Sequence, residues 1–139
     1  MILIPVETVR VNEVAKRHLS TLKRRTGIKT WNVLCRWALC LSLGDVTPPQ
    51  RIDKGDYSNV EMSWATFGGD QADLYATLVA ARCQVDGLDV TRTVLAEQFR
   101  LHLHRGITNL VGMEETRTLE GLLDIASTDY NEHFVEMNL

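Results

Sequence analysis

The stretch from Trp31 to Leu43 constrains the fold more than any other part of the chain. It is typical of a helix that is apolar on nearly every side, since only Asn32, Arg36 and Ser42 interrupt its hydrophobic residues. Such a helix has to be covered on all of its faces. In a chain of 139 residues, other helices can supply part of that cover, and a subunit interface supplies the rest most naturally. The segment therefore predicts a helical bundle that associates with further copies of itself.

The sequence on either side of this helix predicts a mostly α protein with one or two short β-strands. Polar and apolar residues alternate over Thr8–Asn12, which indicates a half-buried strand within Ile2–Asn12, and again from Val60 to Trp64, or as far as Phe67. Helical spacing and capping signals predict further helices over Asn12–Arg25, Gln71–Val85, Thr91–Leu110 and Glu114–Ala126. We expect residues 1–112 to form a helical domain and residues 113–139 an acidic C-terminal helix with a loose tail.

Single residues in these helices carry more specific expectations. Gly106 lies inside a helix, where it marks either a close crossing of two helices or an early helix end. His18 lies on the apolar stripe of the first helix, where we expect a hydrogen-bonded core or interface histidine. The helix over Gln71–Val85 is expected to bury the stripe formed by Leu74, Leu78, Ala81 and Val85.

Positive charge is concentrated near the N-terminus of a chain whose net charge is −3. Residues 8–36 carry eight Lys and Arg against one Glu, whereas residues 37–139 carry seven against sixteen Asp and Glu. On the first helix, Lys16 and Lys23 are two turns apart on one side of the exposed face, and Arg17 and Arg24 are so on the neighbouring side. This compact cationic surface suits a polyanion. The alternative is a solvated helix face whose charges the acidic remainder of the chain neutralises.

The sequence offers little that would support catalysis or metal binding. Cys35 and Cys40 are five residues apart in the apolar helix, where we expect both to be buried and inert, and Cys83 is remote from them. His102 and His104 point to different sides of their helix, so they cannot share a ligand. No nucleophile motif or phosphate-binding glycine loop is present. We therefore predict no catalytic residues, no cofactor and no metal.

The N-terminal residues and the odd cysteine count favour a cytoplasmic protein with reduced thiols. No basic region precedes the apolar residues after Met1, which is atypical of a signal peptide. Three cysteines leave one thiol without a disulfide partner. No apolar run reaches the roughly 18 residues that would cross a membrane, so we expect no membrane partner.

The order of strand, basic helix and apolar helix is that of the ribbon-helix-helix plan, so we predict a helical bundle related to that fold. In that plan two chains pair their first strands and insert the ribbon into the DNA major groove. Thr8, Arg10 and Asn12 would then face the bases. Cations of the first helix would contact phosphates, which position a protein without reading sequence.

Two segments, Leu22–Ile28 and Asn32–Leu43, resemble the signature of the DndE family. DndE is the small component of the bacterial system that replaces a backbone oxygen of DNA with sulfur (phosphorothioation). Trp64–Gly68 and Phe99–Ile107 resemble later blocks of the family, so that the similarity covers about residues 8 to 112.

The resemblance implies a homotetramer that binds double-stranded DNA, prefers nicked duplex, has no catalytic step of its own and works with other proteins of the phosphorothioation system. The DNA-binding cations of the family carry over onto Lys23, Arg24 and Arg25, where the motif matches directly. Helical geometry, and not the motif, adds a second set of expected DNA contacts, which are Lys16, Arg17 and Lys29.

Two other functions remain open at this point. One is a ribbon-helix-helix transcriptional repressor that reads a specific operator through Thr8, Arg10 and Asn12. The other is a small cysteine-dependent enzyme or sulfur carrier, for which Cys83 is the cysteine to test because it lies near a helix end.

Overall fold

The computed structural model describes residues 2–127 of the chain. Strands β1 (Thr8–Asn12) and β2 (Tyr57–Ser63) form one antiparallel sheet. The helices are α1 (Glu13–Thr26), α2 (Trp31–Gly44), α3 (Trp64–Gly68), α4 (Ala72–Val85) and α5 (Arg92–Gly112). Short 3-10 turns cover Gly69–Gln71 and Glu114–Arg117, and residues 119–127 are helical. The predicted mostly α class is confirmed.

Strand β1 pairs with β2 of the same chain. Thr8 lies opposite Ser63 and Arg10 opposite Glu61, with a bulge between Arg10 and Asn12. Val9 and Val11 are buried while Thr8 and Arg10 face solvent, as the alternating sequence predicted. In the ribbon-helix-helix plan the partner of β1 would be the first strand of a second chain. One of the two edges of β1 is therefore already paired within the chain, and the relation to that plan stays a prediction.

The bounds of the two strands differ from those that the sequence predicted. β1 begins at Thr8, later than the predicted Ile2. β2 stops at Ser63, because the Ser63 hydroxyl accepts a hydrogen bond from the Thr66 amide at 3.1 Å and starts α3. The strand thus does not extend to Phe67, whose ring instead packs in the core between Trp64 and Phe99.

Helices α2 and α5 cross at the centre of the molecule. A Cβ placed on Gly106 would lie only 1.8 Å from the carbonyl oxygen of Ala38, so only glycine allows the two backbones to come this close. Leu34, Leu103 and Ile107 are fully buried around the crossing. The prediction that Gly106 marks a close crossing is confirmed.

The buried face of α4 is not the one that the sequence predicted. All four residues of the predicted stripe, Leu74, Leu78, Ala81 and Val85, are exposed, whereas Ala76, Val79 and Cys83 are buried. The predicted stripe was wrong because α4 is apolar on both sides, which gives helical periodicity no means of choosing between them. The helix turns its smaller apolar residues inward, together with Arg82.

Arg82 explains that choice. Its guanidinium donates hydrogen bonds to the carbonyl oxygens of Leu43, in the last turn of α2, and of Asp45 and Thr47 just after it. It also forms a 3.0 Å ion pair with Asp86. The Leu43 carbonyl is one of the last four of α2, which have no partner within the helix. Arg105 donates to the Ser42 carbonyl, and the Ser42 hydroxyl lies 2.8 Å from Nδ1 of His102. Two arginines therefore fasten the end of α2 to α4 and α5.

The first described part of the acidic C-terminal segment packs on the helical core. Thr116 is buried, and its hydroxyl donates hydrogen bonds to the carbonyls of Leu110 and Met113. Glu114–Arg117 form a 3-10 turn, whereas the sequence predicted that an α-helix starts at Glu114. Thr118 then caps residues 119–127, since its hydroxyl accepts from the Gly121 amide. Leu122 is fully buried. The predicted loose tail lies, beyond residue 127, outside the described residues.

Candidate nucleic-acid interface

Helix α1 is defined by strong local signals at both ends. The Asn12 side chain accepts a 2.8 Å hydrogen bond from the Ala15 amide, and Gly27 follows the helix with φ 76°, donating its amide to the Lys23 carbonyl. Ala15, Leu19 and Leu22 bury one face. The opposite face is left to solvent, and it carries the cations.

The six predicted DNA-binding residues differ in exposure. Arg17, Arg24 and Lys29 are exposed, whereas the side chains of the remaining three, Lys16, Lys23 and Arg25, are half-buried. Lys16 and Lys23 lie seven residues apart on α1, as do Arg17 and Arg24, so each pair spans about 10.5 Å along the helix axis. We call the surface formed by Lys16, Arg17, Lys23 and Arg24 the α1 cationic face.

Neighbouring groups fix the half-buried cations. The Lys23 ammonium lies 3.8 Å from the centre of the Trp31 ring, a cation–π contact that links α1 to the start of α2. Lys16 donates a 2.6 Å hydrogen bond to Asn59 of β2. Arg25 donates to the Val111 carbonyl, so part of its guanidinium ties α1 to the end of α5 and is not free for a ligand.

Within residues 2–127, none of the six predicted residues forms an ion pair with a carboxylate. The described pairs are Arg10–Glu61, Arg51–Glu97, Arg82–Asp86 and Arg117–Glu114. The acidic side chains of this part of the chain therefore do not neutralise the α1 cationic face by direct contact, as the alternative of a solvated face would require. Its charge remains available to a partner outside the molecule.

The residues expected to read bases are mostly engaged elsewhere. Arg10 pairs with Glu61 at 3.5 Å and lies over the ring of Tyr57. Asn12 uses its side-chain oxygen to cap α1 and its amide nitrogen to contact the Lys54 carbonyl. Thr8 alone of the three expected readers is exposed without a described side-chain contact. This arrangement gives little support to base reading by β1.

The cysteines do not form a reactive site in the described residues. Burial raises the pKa of Cys35 to about 12, and burial likewise raises the pKa of Cys83. Cys40 is exposed, so the expectation that it is buried was wrong, because α2 turns this side away from the core of the single chain. Thiolates are the reactive form of cysteine, so neither buried cysteine is primed for sulfur chemistry.

The two histidines of α5 serve packing. His104 donates from Nδ1 to the Arg100 carbonyl and accepts the Asn12 amide at Nε2, which requires a neutral ring, and burial lowers its pKa. His102 faces Ser42, on a different side of α5, as predicted. His18 is half-buried. Its Nδ1 makes no hydrogen bond within residues 2–127, whereas we expected one. In that same range, no three His, Cys, Asp or Glu side chains are grouped as metal ligands.

The sequence interpretation missed a second group of cations. Lys54, Arg92 and Arg100 line one cleft together with Arg10, although up to 90 residues separate them along the chain. Trp31 was also missed, since its contact with Lys23 forms across the turn between α1 and α2. No local pattern signals either arrangement, because both depend on how the helices pack.

The fold and the α1 cationic face together define a small, mostly α-helical protein with a surface suited to a polyanion. A family model described as "DNA sulphur modification protein DndE" matches residues 8–118, and the chain belongs to that family. Its role is accordingly in DNA sulfur modification. No curated protein matches the chain. Across residues 2–127, every helix is too short or too polar to cross a membrane.

Proposed function

We propose that this protein is a non-catalytic subunit of the DNA sulfur modification machinery that binds double-stranded DNA, with a preference for nicked duplex. The observation that carries the proposal is the α1 cationic face, whose four cations have no carboxylate partner within residues 2–127. The protein works in the cytoplasm with other proteins of the same system.

The α1 cationic face contacts the DNA backbone rather than the bases. Lysine and arginine on an exposed helix neutralise phosphates. In a plot of the logarithm of the binding constant against the logarithm of the salt concentration, each neutralised phosphate then contributes about −0.9 to the slope. Arg24 and Arg17 are exposed and free to do so, while Lys23 is held ready by Trp31. One copy offers only a few such contacts, which makes binding by a single chain weak and sensitive to salt.

Self-association as a homotetramer multiplies these contacts. The outer side of α2 carries Trp37, Cys40 and Leu41, and α4 adds the exposed Leu78 and Val85 beside it. An open apolar groove of about 490 Å³ runs between these helices. We assign a second copy of the chain to this side, because it is the part of the all-round apolar α2 that α5 leaves uncovered. Several linked α1 cationic faces raise avidity without any new kind of contact.

The lower bending stiffness of nicked DNA explains one way in which the protein would prefer a nicked duplex. A nick removes backbone continuity, so a nicked duplex bends at lower cost than an intact one. Several α1 cationic faces on one assembly then reach phosphates at the same time.

Charge reversal tests the proposal directly. We expect Lys23→Glu with Arg24→Glu to abolish binding to a nicked duplex at moderate salt, and Arg24→Glu alone, which leaves the Trp31 contact intact, to weaken binding and lower the salt slope by about 0.9 per copy engaged. Fluorescence anisotropy over a salt series measures both, and light scattering checks that the oligomer persists.

Arg117→Glu is the matched control for Arg24→Glu, since Arg117 is likewise an exposed arginine but lies outside the α1 cationic face. It should leave the affinity and the salt slope unchanged. Wild-type affinity in Lys23→Glu with Arg24→Glu would refute the assigned surface.

The repressor and the sulfur carrier give different results. A repressor discriminates an operator from scrambled duplex, whereas the proposed subunit discriminates nicked from intact duplex of any sequence. A sulfur carrier that uses Cys83 loses DNA modification in cells on Cys83→Ser but retains it in Lys23→Glu with Arg24→Glu. The burial of Cys83 and the engagement of Arg10 and Asn12 favour the DNA-binding subunit over both.

A further inference from the structure

A second cationic feature lies apart from α1. A cleft of about 790 Å³ opens between the segment that leads into β1 and the first half of α5. Four cations line it: Arg10 of β1, Lys54 of the segment before β2, and Arg92 and Arg100, which lie eight residues apart on α5. The volume falls within the ~300–1,000 Å³ of small-molecule sites.

The charges of this cleft are only partly neutralised from within. Glu7 and Glu97 also line it, but Glu97 is already paired with Arg51 at 3.1 Å. Arg10 pairs with Glu61, and Arg100 donates to the Ile52 carbonyl. Within residues 2–127, the side chains of Lys54 and Arg92 are exposed and make no hydrogen bond or ion pair. Glu7 forms none of the described ion pairs and offsets one of these charges, so Lys54 and Arg92 can both contact an incoming anion while the cleft keeps a net positive charge.

Beside the cations, the wall of the cleft is apolar and aromatic. Phe99 is buried at its base, and Val6 and Ala96 border it. Tyr57 lines the same cleft with about half of its surface exposed (47%). An aromatic ring next to a cation is the combination that holds a base and its phosphate together. Simple inorganic anions would leave this apolar surface unused.

From this juxtaposition we infer that the cleft binds the phosphate monoester of a nucleotide, with Lys54 and Arg92 on the phosphate and Tyr57 beside the base. A terminal phosphate carries close to two negative charges at neutral pH, so it can accept hydrogen bonds from both Lys54 and Arg92. The nucleotide is either free or the phosphorylated end of a DNA strand. The second source rests on the proposed function, since a nick supplies such an end.

Titration with mononucleotides tests the site without any duplex. In calorimetry on the full-length protein, we expect deoxyadenosine 5′-monophosphate to bind at least about tenfold more tightly than deoxyadenosine, the effect of one hydrogen bond to a charged group. Arg92→Ala should remove that difference. Arg117→Ala, which deletes an exposed arginine elsewhere, should retain it. Equal affinity for the two ligands, or an unchanged preference in Arg92→Ala, would overturn the inference.

Duplexes with a nick distinguish the two sources. If the strand end is the ligand, wild-type protein binds a nick with a 5′-phosphate about tenfold more tightly than one with a 5′-hydroxyl, and Arg92→Ala binds both alike. If the mononucleotide preference holds but the two nicks bind alike, the ligand is a free nucleotide. Duplex binding without mononucleotide binding refutes the cleft and spares the proposed function. Mononucleotide binding without duplex binding refutes the proposed function and supports the cleft.

Discussion

Substituting Gly106 by alanine should destabilise the protein, although alanine is the better helix former. The added Cβ would lie 1.8 Å from the Ala38 carbonyl oxygen, and ordinary contact begins near 3.4 Å, so α2 and α5 must separate by about 1.6 Å. The obstacle is backbone, which no rotamer change relieves. Overpacking of this kind costs about 3 kcal/mol, while the gain in helix propensity returns about 1 kcal/mol. We expect a net loss of about 2 kcal/mol or more.

Thermal and urea denaturation followed by circular dichroism measure this loss. A net 2 kcal/mol lowers the Tm of a domain this size by roughly 5–10 °C. Gly112→Ala is the matched control, because Gly112 ends the same helix and a Cβ there would meet nothing within 4 Å. It should be neutral or slightly stabilising. A Gly106→Ala variant as stable as wild type would show that the two backbones are not in the close contact that the 1.8 Å distance implies.

Three further predictions follow from buried and exposed polar groups. Asp86→Ala leaves the buried Arg82 without its carboxylate and should cost about 3 kcal/mol in urea denaturation, whereas Asp86→Asn should cost less. Burial, then the positive charges of Arg82 and Arg105, lower the pKa of His102 to about 4. Because the unfolded chain then binds the extra proton, unfolding free energy should fall by up to ~1.4 kcal/mol per unit as pH drops from about 6.5 toward 4; His102→Gln should remove that part of the slope. Finally, a thiol reagent should label the exposed Cys40 in dilute protein and label it more slowly as concentration rises and the α2 side becomes covered, while Cys35, whose pKa burial raises to about 12, stays unlabelled throughout.

The parts of the fold that the sequence predicted are those set by neighbouring residues. Helix α1 begins after Asn12 and ends before Gly27 because both caps act within a single turn. Gly106 was informative because glycine inside a long helix needs a reason, and here the reason is the backbone of Ala38. The pairing of β1 with β2 was not predicted, since about 45 residues separate the strands and neither pattern encodes a partner.

In the candidate site, too, the sequence predicted the features that lie on one helix and missed those that depend on tertiary contacts. The α1 cationic face lies on one helix, so helical spacing alone placed Lys23 and Arg24 in their rows. Where an element had two apolar sides, as α4 has, only tertiary contacts such as those of Arg82 decided which side is buried. The cleft around Arg92 forms only where three parts of the chain meet, namely the segment into β1, the segment into β2, and α5, so no local pattern could predict it.

Helix α5 connects the two cationic features, and this bears on how a nick would be recognised. Arg25 of α1 is tied to Val111, while Arg100 lines the cleft 11 residues earlier on α5, a separation of about 16 Å along one rigid helix. A continuous backbone can lie on the α1 cationic face, but only a strand end brings a terminal phosphate into the cleft. A preference through bending and a preference through capture of the strand end therefore depend differently on the phosphate at the nick. Preference through bending survives removal of the phosphate at the nick, whereas preference through the cleft disappears with it and with Arg92, so one pair of duplexes decides which mechanism operates.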